Sequence, residues 1–443
     1  MDTPVLDFVR EYAMSQKARL HMPGHKGKEL LGFEKFDITE FNGADSLYHA
    51  EGIIKKSEEN LTNLFGTQAS FYSCEGSSLS VRAMLYLAMQ YGSSDYIMAG
   101  RNAHSSLISA SALLGFDIKW LCPESSSYLS CNITEELLEK ELKSVDKLPF
   151  CVYITSPDYL GNISDISSLS RVCEKYGTVL VVDNAHGAYL KFLENDIHPI
   201  SLGACMCCDS AHKTLPALTG GAYLHIGKNA PEFFVKNAKS ALSLFGSTSP
   251  SYLILASLDG VNKYLSQGFD TKLSAFEKKV EKIKKSLREC GYSLVGTEIT
   301  KITVDTKKYG YVGGDFNKIL ENEGLICEFF DKDYLVLMLS PENTDAELEK
   351  IQRVLLGIEK RDKIPKSEEK FTLPKRKMSI REATLSKKER VKIKEAVGRT
   401  LASVNVFCPP AVSLVVCGEE INEDCVRLCT EYGFEYCDAV IEP

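Results

Sequence analysis

The residues best equipped for chemistry lie in Asp209-Ser210-Ala211-His212-Lys213-Thr214-Leu215-Pro216, one lysine in a run of small and polar residues between an apolar run and Gly220-Gly221. About thirty residues upstream, Val179-Leu180-Val181-Val182-Asp183-Asn184-Ala185-His186-Gly187 reads as a buried strand ending in an acid and a histidine. Taken singly, a lysine after a histidine is a surface group, and an acid at a strand end is a turn or helix-cap residue. Taken in order, a strand-end Asp followed by Ser-x-His-Lys is what pyridoxal phosphate (PLP) chemistry needs. The lysine amine forms an imine with the cofactor aldehyde. The carboxylate keeps the pyridine nitrogen protonated, which makes the ring an electron sink.

The elements around these residues must bring them to one place. Ala69 to Ser73 reads as a short strand ending in Cys74-Glu75-Gly76-Ser77-Ser78, and helical periodicity resumes at Leu79 and runs to about Tyr91. Gly76-Ser77-Ser78 therefore sits where a strand turns into a helix, with free backbone N–H groups, hydroxyls and the positive end of the helix dipole available to a phosphate. An ordinary N-cap uses the same residues. Asp95 to Ala99 is a further strand, leading to Arg101-Asn102-Ala103-His104-Ser105-Ser106. From 66 to 226 the rhythm is mostly strand, helix, strand, helix, which predicts an α/β fold with a mainly parallel sheet. Ser77, His104, Asp183 and His186 all fall at predicted strand C-terminal ends, the edge where open α/β sheets bind ligands. His21-Met22-Pro23-Gly24-His25-Lys26-Gly27 reads either as a solvated loop or as an arm that reaches a ligand.

Beyond the lysine, Phe269 to Cys290 reads as a long amphipathic helix, with a domain boundary near its start. A small α+β layer follows: a strand at 301–305, a helix at 314–323, two strands in 325–339 and a helix at 344–359. A linker is expected at 361–376, and a helix near 386–402 precedes Pro409-Pro410 and Val412 to Val416. The expected domains are an N-terminal arm at 1–60, a large cofactor-binding domain at 61–265, a small α+β domain at 266–362, and a linker with a C-terminal domain at 363–443.

Composition narrows the field. The chain has 443 residues, 44% hydrophobic and 25% charged, with a net charge of -8. That balance argues against a nucleic-acid partner, which needs basic clusters. No apolar run reaches membrane-spanning length, and Met1-Asp2-Thr3-Pro4 lacks the features of a signal peptide. Fifteen cysteines are scattered through strand-like and helix-like runs. The formal C-x-x-C from Cys205 to Cys208 has no second Cys/His pair at zinc spacing, so buried thiols in a reducing, cytoplasmic compartment are expected, and no metal.

Five pieces together resemble a known family: His-x-Pro-Gly-His-x-Gly at 21–27, Arg-Asn-x-His-x-Ser at 101–106, Asp-x-Ala-His at 183–186, Ser-x-His-Lys at 210–213 and Ser-Thr-Ser-Pro at 247–250. Their order is similar to that in the bacterial ornithine/lysine/arginine decarboxylases, and Glu395 to Leu401 is similar to part of that family's C-terminal domain. The resemblance implies PLP fold type I, the aspartate-aminotransferase fold, with smaller C-terminal α+β domains, in a short form without the receiver-like N-terminal domain of many relatives. It implies Lys213 as the Schiff-base lysine, Asp183 at the pyridine nitrogen, His104 stacked on the ring and His186 near the reacting carbon. Ser77, Ser78, Ser210 and His212 would hold or border the phosphate, and Gly76 and Ala185 complete the cofactor-binding set. Ser247 and Thr248 would reach the phosphate of a neighbouring subunit, making the active unit at least a homodimer. The family's Pro-Pro-Gly-Ile-Pro stretch reads Pro409-Pro410-Ala411-Val412-Ser413 here, which puts substrate choice and higher assembly in doubt.

The implied activity is decarboxylation of arginine, lysine or ornithine to agmatine, cadaverine or putrescine in polyamine metabolism, with a small-molecule substrate and no membrane partner. An aminotransferase or a carbon–carbon lyase remains the alternative on the same scaffold, and a non-catalytic PLP-fold regulator a more distant one. A basic substrate needs an acidic group at the far end of its pocket, and the sequence does not single one out.

Overall fold

The computed structural model describes residues 1–123, 129–366, 373–404 and 412–441, with the backbone of 407–408. Part of the expected linker, 367–372, and Pro409-Pro410-Ala411 lie outside the described residues. A seven-stranded sheet contains β1 (Ala69–Ser73), β2 (Tyr96–Gly100), β3 (Asp117–Leu121), β4 (Cys151–Thr155), β5 (Val179–Asp183), β6 (Met206–Asp209) and β7 (Ala222–Ile226), in the order β1-β7-β6-β5-β4-β2-β3. β5 runs parallel to β6, and β2 to β3, while β7 is antiparallel to both β1 and β6. The mainly parallel sheet expected from the strand–helix rhythm is present. Every residue of β5, β6 and β7 is buried, as in strands covered on both faces. Among the described residues no helix is long and apolar enough to cross a membrane.

The chain forms two compact units. The first comprises Met1–Ser94, Phe150–Val152 and Ile166–Ser274. Its opening helix, Pro4–Met14, is fastened by Asp259, whose Oδ2 accepts the N–H groups of Val5 and Leu6 at 2.8 and 2.9 Å. The other carboxylate oxygen accepts from the Ser57 hydroxyl. Buried Glu58 is closed off in the same unit by Lys239 at 2.6 Å and the Tyr72 N–H at 3.0 Å. Of the described cysteines most are buried thiols, while Cys290 is exposed.

The second unit comprises Asp95–Pro149, Tyr153–Asp165 and Ala275–Pro443. It contains an antiparallel sheet of Phe329–Phe330, Tyr334–Met338, Lys301–Asp305 and Leu294–Val295, with helices Gly313–Asn322 and Asp345–Gly357. The latter helix starts with a reciprocal capping box between Thr344 and Glu347. Arg101 is almost wholly buried in this unit. It donates to the Ser413 carbonyl at 2.8 Å, pairs with Glu419 at 3.2 Å and lies 5.0 Å from the Trp120 ring centre.

The helix expected near 386–402 does not form. A short helix, Ile380–Leu385, ends there, and Lys388–Lys392 is a strand paired antiparallel with Tyr436–Val440. Non-local pairing overrides local propensity: the partner strand supplies the backbone hydrogen bonds, and a left-handed Gly398 (φ 80°) turns the chain. The apolar residues of the stretch, Ile393, Ala396 and Leu401, join a core cluster with Leu414, Val415 and Ile421.

Candidate active site

β5 and β6 are neighbouring parallel strands in which Asp183 stands opposite Cys208, so both strands end at one edge of the sheet. Asp183 is 3% exposed. Its Oδ1 accepts the Ala185 N–H at 3.2 Å, and the Cys208 thiol approaches the same oxygen at 3.6 Å. Burial, and then the Asp183 charge, push the Cys208 thiol well above its ordinary pKa, so it stays a protonated donor to that carboxylate. The turn after β5 carries His186, which is buried.

After β6 the chain makes a single helical turn, Ala211–Thr214, that holds Lys213. The Lys213 Nζ lies 3.1 Å from His186 Nε2. Ser210, at the head of this turn, donates from Oγ to Ser77 Oγ at 2.8 Å. Ser77 and Ser78 lie in the first turn of the helix Gly76–Tyr91. The Gly76 N–H donates to the Gly220 carbonyl at 2.8 Å, tying that helix start to the loop beyond the lysine. Gly220 adopts a left-handed φ of 95°, and a Cβ there would stand 3.1 Å from the Cys74 carbonyl oxygen, so both conformation and approach call for glycine. His212 Nδ1 donates to the Gly221 carbonyl at 2.9 Å.

The first unit thus carries Lys213, His186, Asp183, Ala185, Ser210, His212, Gly76, Ser77 and Ser78 on the ends of β1, β5 and β6 and the segments that follow them. Their chemistry fits PLP: a primary amine for the aldehyde, a buried strand-end carboxylate for the pyridine nitrogen, and hydroxyls at a helix start for the phosphate. A Cβ at Gly76 would meet nothing within 4 Å, which leaves open space at that helix start.

His104 belongs to the second unit, four residues beyond the end of β2, where it caps the helix Ser105–Leu114 by accepting the Ser106 N–H at its Nδ1, 3.1 Å away. Ser247 and Thr248 are exposed, and the Ser247 N–H donates to Glu75 of the same chain at 2.5 Å. In the 21–27 loop, His21 Nε2 meets the Tyr12 hydroxyl at 2.5 Å and His25 Nε2 meets Asp37 at 3.2 Å.

The sequence reading passed over a buried polar group next to the lysine segment. Asp209 accepts from Asn184 Nδ2 at 2.7 Å and pairs with His198 Nε2 at 3.0 Å, and His225 Nε2 stands 3.3 Å from the same carboxylate. Only strand alternation, which puts Cys207 and Asp209 on one face, carries a hint of it. Donor atoms of His198, Cys207 and Asp209 lie within 4.8 Å of one another, a spacing a cation can use. The Asp209 oxygens are already engaged by Asn184 and His198, which satisfies the group as a hydrogen-bond network.

Comparison with known proteins gives this arrangement a class. The fold is that of a PLP-dependent enzyme of fold type I. The family model described as "Orn/Lys/Arg decarboxylase, major domain" matches residues 3–315, and the chain belongs to that family of PLP-dependent decarboxylases. The Bacillus subtilis protein YaaO is 28% identical, over 96% of this chain and 93% of its own length. An arginine decarboxylase of Halalkalibacterium halodurans is 27% identical, over 95% of this chain and 91% of its own. Among solved structures, the Francisella novicida lysine decarboxylase superposes with a TM-score of 0.78 at 16% identity, covering 99% of this chain and 81% of that one.

Proposed function

We propose that this protein decarboxylates a basic amino acid, with arginine first among arginine, lysine and ornithine, to give the corresponding amine, agmatine in the first case. The observation that carries the reading is the 3.1 Å contact of Lys213 with His186, on the turns that follow two adjacent parallel strands, one of which ends in Asp183. Arginine is favoured because several relatives that align over most of the chain are named arginine decarboxylases. A role in polyamine metabolism and a reducing, cytoplasmic compartment belong to the same proposal.

In this reading Lys213 holds the cofactor aldehyde, Asp183 its pyridine nitrogen, and Ser77, Ser78, Ser210 and His212 its phosphate, with Gly76 and Ala185 bordering it and His104 at the ring face. PLP, when bound, supplies an electrophilic carbon for the substrate amine and a ring that accepts the electrons left by the departing carboxylate. The buried Asp183 carboxylate stabilises the positive charge on the ring nitrogen in a site with little water, where such an interaction is strong. The Lys213 Nζ and His186 Nε2 are close enough to share a proton, and this pair returns one to the substrate carbon after CO₂ departs.

Ser247 and Thr248 act across a subunit interface, so the working unit is at least a homodimer. The large exposed apolar side chains of Leu20, Leu30 and Leu31 support an interface near the N-terminal arm. The deciding experiment is the absorbance spectrum of the purified protein followed by CO₂ release with arginine, lysine and ornithine in turn. A borohydride-sensitive band near the violet edge plus CO₂ from one substrate is the expected result. A band without CO₂ from any of them would move the assignment to another PLP reaction. Failure to acquire the band after PLP is added would overturn the reading of Lys213.

A further inference from the structure

Asp209 is fully buried, and so are the three side chains around it, Asn184, His198 and His225. The network continues from His225 Nδ1 to Ser70 Oγ at 2.8 Å and on to Thr67 Oγ1 at 2.7 Å. Burial opposes ionisation of Asp209, but the charge and hydrogen bonds of His198, then of His225, outweigh it and hold the carboxyl well below the ordinary carboxylate range. An ionised group this deep, with a partner for each oxygen, is rigidly placed.

Its position in the chain gives that rigidity a use. Asn184 directly follows Asp183, and Asp209 directly precedes Ser210 and stands four residues before Lys213. The β5–β6 pairing closes with the Asn184 N–H donating to the Cys208 carbonyl at 3.0 Å. Beyond that point the Asn184–Asp209 side-chain bond joins the two strand ends. Side chains alternate along a strand, so Cys208, which approaches Asp183, and Asp209 point to opposite faces. The turn beyond Asn184 is closed around the same side chain: the Gly187 N–H donates to the Asn184 carbonyl at 2.7 Å, and a Cβ at Gly187 would fall 2.0 Å from Asn184 Oδ1.

We propose that Asp209 is a positioning residue: through its hydrogen bond from Asn184, braced by His198, it sets the separation between the strand end bearing Asp183 and the turn bearing Lys213. This rests on the roles given to Asp183 and Lys213 under Proposed function. Neither Asp209 nor Asn184 touches the reacting atoms in this account. The bond acts by geometry, so an asparagine that keeps the acceptor for Asn184 can stand in for the carboxylate, with His198 taking the tautomer whose Nε2 accepts from the new amide.

The test uses full-length protein with Asp209→Ala, Asn184→Ala, the double variant and Asp209→Asn. PLP affinity of the apo-protein is read by fluorescence titration, the pH midpoint of the lysine-bound cofactor band by absorbance, and kcat and KM separately. Each alanine variant is expected to weaken PLP binding and lower kcat by about tenfold with KM nearly unchanged, and to move the band's pH midpoint. The double variant should be no worse than either single one, because both remove the same bond. Asp209→Asn, which still accepts from Asn184, should recover most of the loss. Additive losses in the double variant would overturn the proposal, and so would a fall in melting temperature with affinity, band and kcat unmoved. If Asp209→Ala does not fold, Asn184→Ala and Asp209→Asn decide alone: an unaltered band and kcat in the former sink the idea. Failure of the underlying reading would appear separately, as a wild-type protein without a lysine-dependent band.

Discussion

The Nζ of Lys213 and the Nε2 of His186 lie 3.1 Å apart, although the two residues come from the turns after different strands. At that distance one nitrogen donates and the other accepts. Lys213→Ala is expected to abolish the absorbance band of lysine-bound PLP and to cut CO₂ release by at least ~100-fold. Spectroscopy at saturating PLP, followed by borohydride treatment, checks the first effect, and a single-turnover assay the second. Retention of both band and turnover would remove Lys213 from the site.

Asp183→Ala separates cofactor binding from cofactor activation. The buried carboxylate is expected to contribute about 3 kcal/mol to the rate, a loss of ~100-fold or more in kcat, while the variant still takes up PLP. The neighbouring Cys208 thiol loses its acceptor in this variant. Near wild-type turnover would sink the role given to Asp183.

The Ser210–Ser77 hydrogen bond predicts a shared effect on PLP affinity. Ser77→Ala and Ser210→Ala should each weaken PLP binding by roughly tenfold, as expected for losing one hydrogen bond to a charged group. Their energies should not add in the double variant, since the hydroxyls contact each other at 2.8 Å. Equilibrium titration of apo-protein with PLP measures all three. If neither single variant alters affinity, the phosphate lies elsewhere.

Asp259 gives the first unit a pH-dependent stability that can be signed. Burial raises its carboxyl from the ordinary 3.8 to about 6, against the opposing hydrogen bonds from Ser57, Leu6 and Val5. A raised folded-state pKa means that the folded protein binds the proton more tightly, so this contribution is complete below about pH 4 and is lost as pH rises through 6. The full swing is about 3 kcal/mol. Asp259→Asn, which can accept from Val5 and Leu6 and remains neutral, should flatten the loss between pH 4 and 7, as read by urea unfolding at a series of pH values. An equally steep loss in the variant would assign the effect to other groups.

Sequence made some levels of this molecule plain and hid others. β5 was legible because four apolar residues ending in Asp have a single reading as a buried strand, and the Ser-x-His-Lys after β6 stood in a recognisable place. The Asp209 network was not legible, because His198 and His225 reach it from segments whose local patterns say nothing about each other. The stretch 386–402 was misread because pairing with Tyr436–Val440 is decided by a partner far along the chain. His104 lies four residues beyond the end of β2, its local hydrogen bonds are those of a helix cap, and sequence alone cannot separate that duty from a cofactor contact.

The arrangement around Arg101 limits how this protein can be divided. A reader of the linear chain would cut near the Lys- and Pro-rich stretch after residue 361 and expect two separable pieces. The guanidinium of Arg101, however, finds its carbonyl and its carboxylate at Ser413 and Glu419, more than three hundred residues later. A fragment ending before residue 412 would keep this buried cation without the Ser413 carbonyl and the Glu419 carboxylate, and breaking a buried ion pair by removing one partner costs several kcal/mol. The last segment of the chain is therefore the counter-charge of a residue near its beginning, and truncation at the apparent linker would damage the part that was meant to be kept.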